Sequence, residues 1–209
     1  MTTFKIANIK TSTTELKDIA KAWLIISLAF TFVFTGASLL GGNIKNVASI
    51  QFGLYFIIAL FTAGVGFLLH EMAHKLVAQH YGCEAEFRAY DEMLYIALGL
   101  AALVGFLFAA PGAVMIQGLI TRRENGIISV AGPLTNYILA LIFLGLSLAL
   151  PPLAFIFMIG LQVNIWLGLF NMIPFGNFDG VKIFYWNKIV WGIMVIVGAG
   201  ALYGLYNYF

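Results

Sequence analysis

Charge is what this sequence has least of. Asp, Glu, Lys and Arg together supply only 10% of its 209 residues, where an ordinary soluble domain carries about 25%. So few charges cannot cover a water-facing surface of this size, which excludes a free soluble enzyme or binding module and points to the bilayer as solvent. Cysteine is almost missing as well. Cys83 stands alone, so no internal disulfide and no cysteine-based zinc site is possible, and a metal would have to be held by histidine and carboxylate. The formal net charge of +2 is too small to call for a nucleic-acid partner. There is no internal repeat and no low-complexity linker, and a single domain over residues 1–209 without a soluble appendage is expected.

What the chain has instead is 62% apolar residues gathered into long runs. A crossing needs about 20 mostly apolar residues. Runs that meet this standard lie at about 22–41, 50–81, 127–150, 153–173 and 189–208, with Pro151-Pro152 as the turn between the third and fourth. Lys5, Lys10, Lys17 and Lys21 precede the first run and only Lys45 closely follows it, which predicts a retained span with its N-terminus in the cytoplasm. The stretch 93–120 is harder to place, because its apolar run of 17 residues at 93–109 approaches the length of a span. A full crossing would put Arg122 and Arg123 outside. A segment that dips in and returns keeps Arg88, Arg122, Arg123, Lys182 and Lys188 on the cytoplasmic side. The expected fold is therefore an all-α polytopic membrane protein with about five transmembrane helices plus a re-entrant hairpin, or six spans if 93–109 crosses. Residues 111–118, PGAVMIQG, read as a short strand between breakers.

Histidine is scarce too, yet two of the three histidines stand four residues apart near the end of the second run, as His70-Glu71-Met72-Ala73-His74. On a helix this HExxH spacing puts both imidazoles on one face, close enough to grip one metal ion, with Glu71 one step round as general base. Ionisable residues clustered in a span are costly, by about 2.5–3.5 kcal/mol each at its centre, and so suggest use. The plain alternative is a solvated helix end beyond the hydrocarbon edge. The motif supplies two protein ligands and needs a third. His80 has the spacing of one soluble class of zinc protease, but Val77 stands where that class has a helix-breaking glycine. An unbroken helix carries His80 about 9 Å along the axis from His74 and about 15 Å from His70. Asp179 is the better candidate. It lies in Asn171-Met172-Ile173-Pro174-Phe175-Gly176-Asn177-Phe178-Asp179-Gly180, where proline and glycine stop the fourth run and free the backbone to turn a carboxylate inward.

These elements, in this order, resemble the site-2 protease family of intramembrane metalloproteases, whose members pair an HExxH helix with a later NxxPxxxxDG segment. Asn171, Pro174, Asp179 and Gly180 match that segment, and Gly132-Pro133-Leu134-Thr135-Asn136 is similar to the family's GPxxN. The likeness covers about residues 50–185, and is to a compact prokaryotic-type member with no room for the soluble gating or nucleotide-sensing domains of some relatives. Phe175-Gly176-Asn177-Phe178 stand where members often carry a further proline. The resemblance implies one zinc ion per chain on His70, His74 and Asp179, with Glu71 as general base. It implies that Asn136 faces the active site, where it would hydrogen-bond substrate or the developing oxyanion; an asparagine in a span is equally an interhelical hydrogen-bond partner. The function expected is hydrolysis of peptide bonds in membrane-spanning or membrane-associated proteins, in a prokaryotic cell membrane. The alternative from another class is a non-catalytic membrane metal-binding protein or transporter retaining the protease fold, although such a transporter should spread its ligands over symmetric halves.

Overall fold

The computed structural model describes residues 3–6, 9–107 and 112–208, and the chain is mostly helical. Among the described residues five helices are long and apolar enough to cross a membrane: Thr13–Thr35, Ile50–His80, Arg122–Ala149, Pro151–Phe170 and Lys188–Asn207. They make this an integral membrane protein. The chain divides into two compact units, residues 1–68 with 86–115, and residues 69–85 with 116–209.

The first unit opens with a hairpin not expected from the sequence. Strands β1 (Thr3–Ile6) and β2 (Ile9–Ser12) pair antiparallel, with Thr3 opposite Ser12 and Ile6 opposite Ile9. Helix α1 (Thr13–Thr35) follows at once. It starts well before the expected 22 because Ser12 caps it, its hydroxyl accepting from the Glu15 amide at 3.1 Å, so that Lys17 and Lys21 belong to the helix. Glu15 is fully buried. Its carboxylate accepts from the Thr11 hydroxyl at 2.6 Å and from the Phe87 amide at 2.8 Å. Asp18, one turn on, accepts from the Ala89 amide at 3.5 Å. Phe87 and Ala89 lie in strand β3 (Glu84–Ala89), and alternate amides of a strand point to one edge. The carboxylates of α1 thus cover one edge of β3, while β3 is paired with β4 (Gly112–Gln117).

Between those paired strands runs α4 (Asp91–Val104), about 21 Å long at 1.5 Å per residue. Gly105, with φ 75°, ends it. α4 is not among the helices long enough to cross a membrane, and the strands on either side of it are neighbours in one sheet; of the residues between α4 and β4, and of the expected strand at 111–118, residues 108–111 lie outside the described residues. Backbone amides of Leu39 and Leu40 cap the end of α4 by donating to Ala102 O and Leu103 O, each at 2.9 Å. Small residues let α1 and α4 approach, with Ala29 and Ala101 fully buried beside Phe32 and Phe52.

The second span is not a uniform α-helix. A π-helical turn, Leu60–Gly64, separates α2 (Ile50–Ala59) from α3 (Val65–His80). No proline marks it; instead the Trp23 indole donates to Leu60 O at 3.0 Å, and a Cβ on Gly64 would run into Trp23 and Ser27. The bulge is therefore seated by α1, a tertiary effect that no local residue pattern announces.

In the second unit α5 (Arg122–Ala149) starts five residues before the expected 127, because Thr121 and Glu124 form a reciprocal capping box. Helix α6 (Ala154–Phe170) packs back along α5, with Gly160 against Phe143 and Gly168 against Tyr137. A short helix, α7 (Asp179–Trp186), and the last span, α8 (Lys188–Tyr208), close the unit. Tyr137 donates to Met194 O at 3.1 Å and the Trp191 indole to Met172 O at 2.8 Å, tying α8 to α5 and to the end of α6.

Candidate metal centre

The α3 helix places His70 and His74 one turn apart, with their Nε2 atoms 3.0 Å from each other. Asp179 Oδ2 lies 3.3 Å from His70 Nε2 and 3.0 Å from His74 Nε2. All three residues are buried, at 5%, 7% and 7% exposure. Zinc bonds of about 2.0–2.1 Å in tetrahedral geometry separate ligand atoms by about 3.3 Å, so these donors already have nearly the spacing that one ion requires. Among the described residues this is the one group of three or more His, Cys, Asp or Glu side chains arranged to hold a metal. His80, the well-spaced alternative, is exposed in the last turn of α3 and stands outside the group.

The far side of each imidazole is held as well. His70 Nδ1 meets Asn136 Oδ1 at 2.6 Å, and His74 Nδ1 meets the Ile128 carbonyl at 2.8 Å. Both partners accept, which puts the ring proton on Nδ1 and leaves each Nε2 lone pair turned toward Asp179.

Asp179 arrives from another direction. It is the first residue of α7, not part of an open non-helical stretch as its proline and glycine neighbours suggest; those neighbours form the loop before it. The Gly180 amide donates to Asn171 O at 2.7 Å, and a Cβ on Gly180 would strike the backbone of Met172 and Ile173. Asn171 itself is fixed by its side chain, which donates to Leu167 O at 2.9 Å. The loop is thus closed at its two ends by Asn171 and Gly180, and the closure sets where Asp179 starts. The second oxygen of Asp179, Oδ1, has the half-exposed Lys182 ammonium 3.6 Å away. Glu71 is buried beside His70 on α3.

The sequence is 38% identical to a protein of Methanocaldococcus jannaschii described as a "putative zinc metalloprotease", over 174 residues that cover 81% of this chain and 84% of that one. The chain belongs to that zinc metalloprotease family. No protein-family model and no solved structure matches it. Zinc is accordingly the cofactor of this metalloprotease, and the donor set of two imidazoles and a carboxylate is one that suits it.

Two participants in the centre have no role that the motifs assign. One is Gly132. A Cβ there would collide with Nε2 of both His70 and His74, so the α5 backbone borders the space into which both lone pairs point. Gly132→Ala is expected to bring zinc content well below one per chain while the helices stay formed, as measured by metal analysis alongside circular dichroism; full zinc content would show that α5 can retreat. The other is Asn164 of α6, whose Oδ1 accepts from Asn136 Nδ2 at 3.0 Å. Its signal in the sequence is slight, a single carboxamide within an apolar span. Asn136 is therefore committed to protein partners on both sides, His70 and Asn164. Contact with substrate would require one of those buried bonds to break.

Proposed function

We propose that this zinc metalloprotease is an intramembrane protease of the site-2 type, cutting membrane-spanning segments of other proteins. The observation that carries this reading is that the His70-Glu71-Met72-Ala73-His74 motif belongs to a helix which is itself long and apolar enough to span the bilayer, Ile50–His80, and that its histidines are buried with Asp179. Site chemistry and membrane-spanning structure are properties of one helix.

In this reading His70, His74 and Asp179 hold the metal, with Asn136 and the Ile128 carbonyl fixing the two rings. Bound zinc supplies a Lewis acid that polarises the scissile carbonyl and lowers the pKa of water towards about 7. Glu71 takes the proton from the attacking water and passes it to the leaving amine. Asn136 serves by holding His70. A helical segment hides its peptide groups, so the substrate must unwind locally into an extended strand. Strand β4 is a place for it to add, because among the described residues its sheet has only β3 as a further strand, and β3's outer amides are taken by Glu15 and Asp18. Lys17, Lys21 and Arg88 support, through the positive-inside tendency, a reading in which the N-terminus faces the cytoplasm.

The test is cleavage of a single-span substrate by the purified protein in vesicles. A chelator should abolish cutting and added zinc should restore it. Cutting that survives complete zinc removal would exclude the reading.

A further inference from the structure

We propose that Asn164 is a positioning residue of the zinc centre: through Asn136 it selects which nitrogen of His70 faces the metal. The proposal rests on His70 being a zinc ligand, as proposed above.

A carboxamide can turn over, exchanging its oxygen for its NH2 group with almost no change in shape, so one asparagine against one imidazole does not by itself choose a tautomer. Here the choice is forced from a distance. The far end of the chain of bonds is the carbonyl of Gly160, which can only accept, and Asn164 Nδ2 donates to it at 2.9 Å. Asn164 must therefore turn its Oδ1 the other way, where it accepts from Asn136 Nδ2 at 3.0 Å. Asn136 in turn must present Oδ1 to His70, 2.6 Å from Nδ1. An acceptor at that position puts the proton on Nδ1 and leaves Nε2 unprotonated, the state a metal ligand needs. Flipping either asparagine would set oxygen against oxygen or NH2 against NH2 at one of the links.

The surroundings make the choice strict. Asn136 and Asn164 are both fully buried, so water does not stand in for a lost partner, and a broken link would leave buried polar atoms unsatisfied. The terminal acceptor is itself fixed, because Gly160 is a residue of α6 pressed against the Phe143 ring, where a Cβ would not fit. Neighbouring Leu161 and Ile165 pack with Ala140 in an apolar cluster that offers no competing donor. His74 needs no such relay, since its Nδ1 partner is already a backbone carbonyl. The two imidazoles thus reach the same tautomer by different routes, one directly and one through two side chains.

The test is a cycle of four proteins, wild type, Asn164→Leu, Asn136→Leu and the double variant, with zinc affinity measured by chelator competition. Loss of a group that orients a ligand typically weakens metal binding 10–100-fold. Asn164→Leu is expected to weaken zinc by about 10-fold, and the double variant is expected to bind like Asn136→Leu alone, within about twofold. Wild-type affinity in Asn164→Leu, or losses that multiply in the double variant, would overturn the relay, since a role confined to α5–α6 packing adds independently. A wild-type protein that bound no zinc would overturn the metal-centre reading itself. A second measurement needs no variant. In zinc-loaded protein labelled with nitrogen-15 histidine, His70 should show a protonated, slowly exchanging Nδ1 and a metal-bound Nε2. The reverse pattern would overturn the relay.

Discussion

Glu71→Gln is expected to keep one zinc per chain and to lower peptide-bond cleavage by about 100-fold or more. Glutamine has nearly the shape of glutamate, so the packing of a buried position on α3 is preserved. What it loses is the ability to take a proton. General acid–base groups in such positions contribute about 10²–10⁴-fold to rate, and the lower figure sets the minimum loss. The ligand set is untouched, because His70, His74 and Asp179 meet without Glu71 among them. Metal analysis and single-turnover cleavage on the same preparation separate the two effects. A variant that cleaves at the wild-type rate would remove Glu71 from the mechanism, and one that loses zinc would show that Glu71 supports the metal.

Asp179→Ala has the opposite signature, with zinc and cleavage both lost. The carboxylate is the one anionic donor in the group, 3.0–3.3 Å from the two imidazole Nε2 atoms. Without it two neutral rings remain, fewer than the three protein ligands a catalytic zinc site uses. The loss should not come from misfolding. The backbone at this point is secured by the Gly180 amide on Asn171 O and by the Asn171 side chain on Leu167 O, none of which involves the Asp179 carboxylate. Metal content near zero with an unchanged helical spectrum is the expected result, and stoichiometric zinc in this variant would move the third ligand elsewhere.

The parts of this site that were legible beforehand are those whose chemistry is written locally. HExxH spacing on a continuous helix fixes His70, Glu71 and His74 by periodicity alone. Asp179 is readable because proline and glycine around it free the backbone, although α7 beginning at that residue was not foreseen. The strand at Gly112–Gln117 follows from β-rich residues between breakers. Misreadings came where local signals competed. Ser12 and Glu15 carry an N-terminal capping pattern, but the apolar run that defines the expected span begins only at about 22, after the lysines, so the sequence pattern places the start of α1 too late and does not show the hairpin before it. The roles of Gly132, Asn164 and the Ile128 carbonyl were not legible at all, because each depends on partners far away along the chain: Asn164 meets Asn136 28 residues away, and His74 meets Ile128 54 residues away. The π-turn at Leu60–Gly64 is of the same kind, held by Trp23 from a different helix.

The most direct test of the central claim is the position of the cut. A substrate with one membrane span and soluble tails on both sides, incubated in vesicles with the zinc-loaded protein, can be mapped by mass spectrometry of its new termini. The expected result is a cut within the span or at its membrane edge, absent with Glu71→Gln. Cuts confined to the soluble tails, or the same cuts with Glu71→Gln, would contradict it.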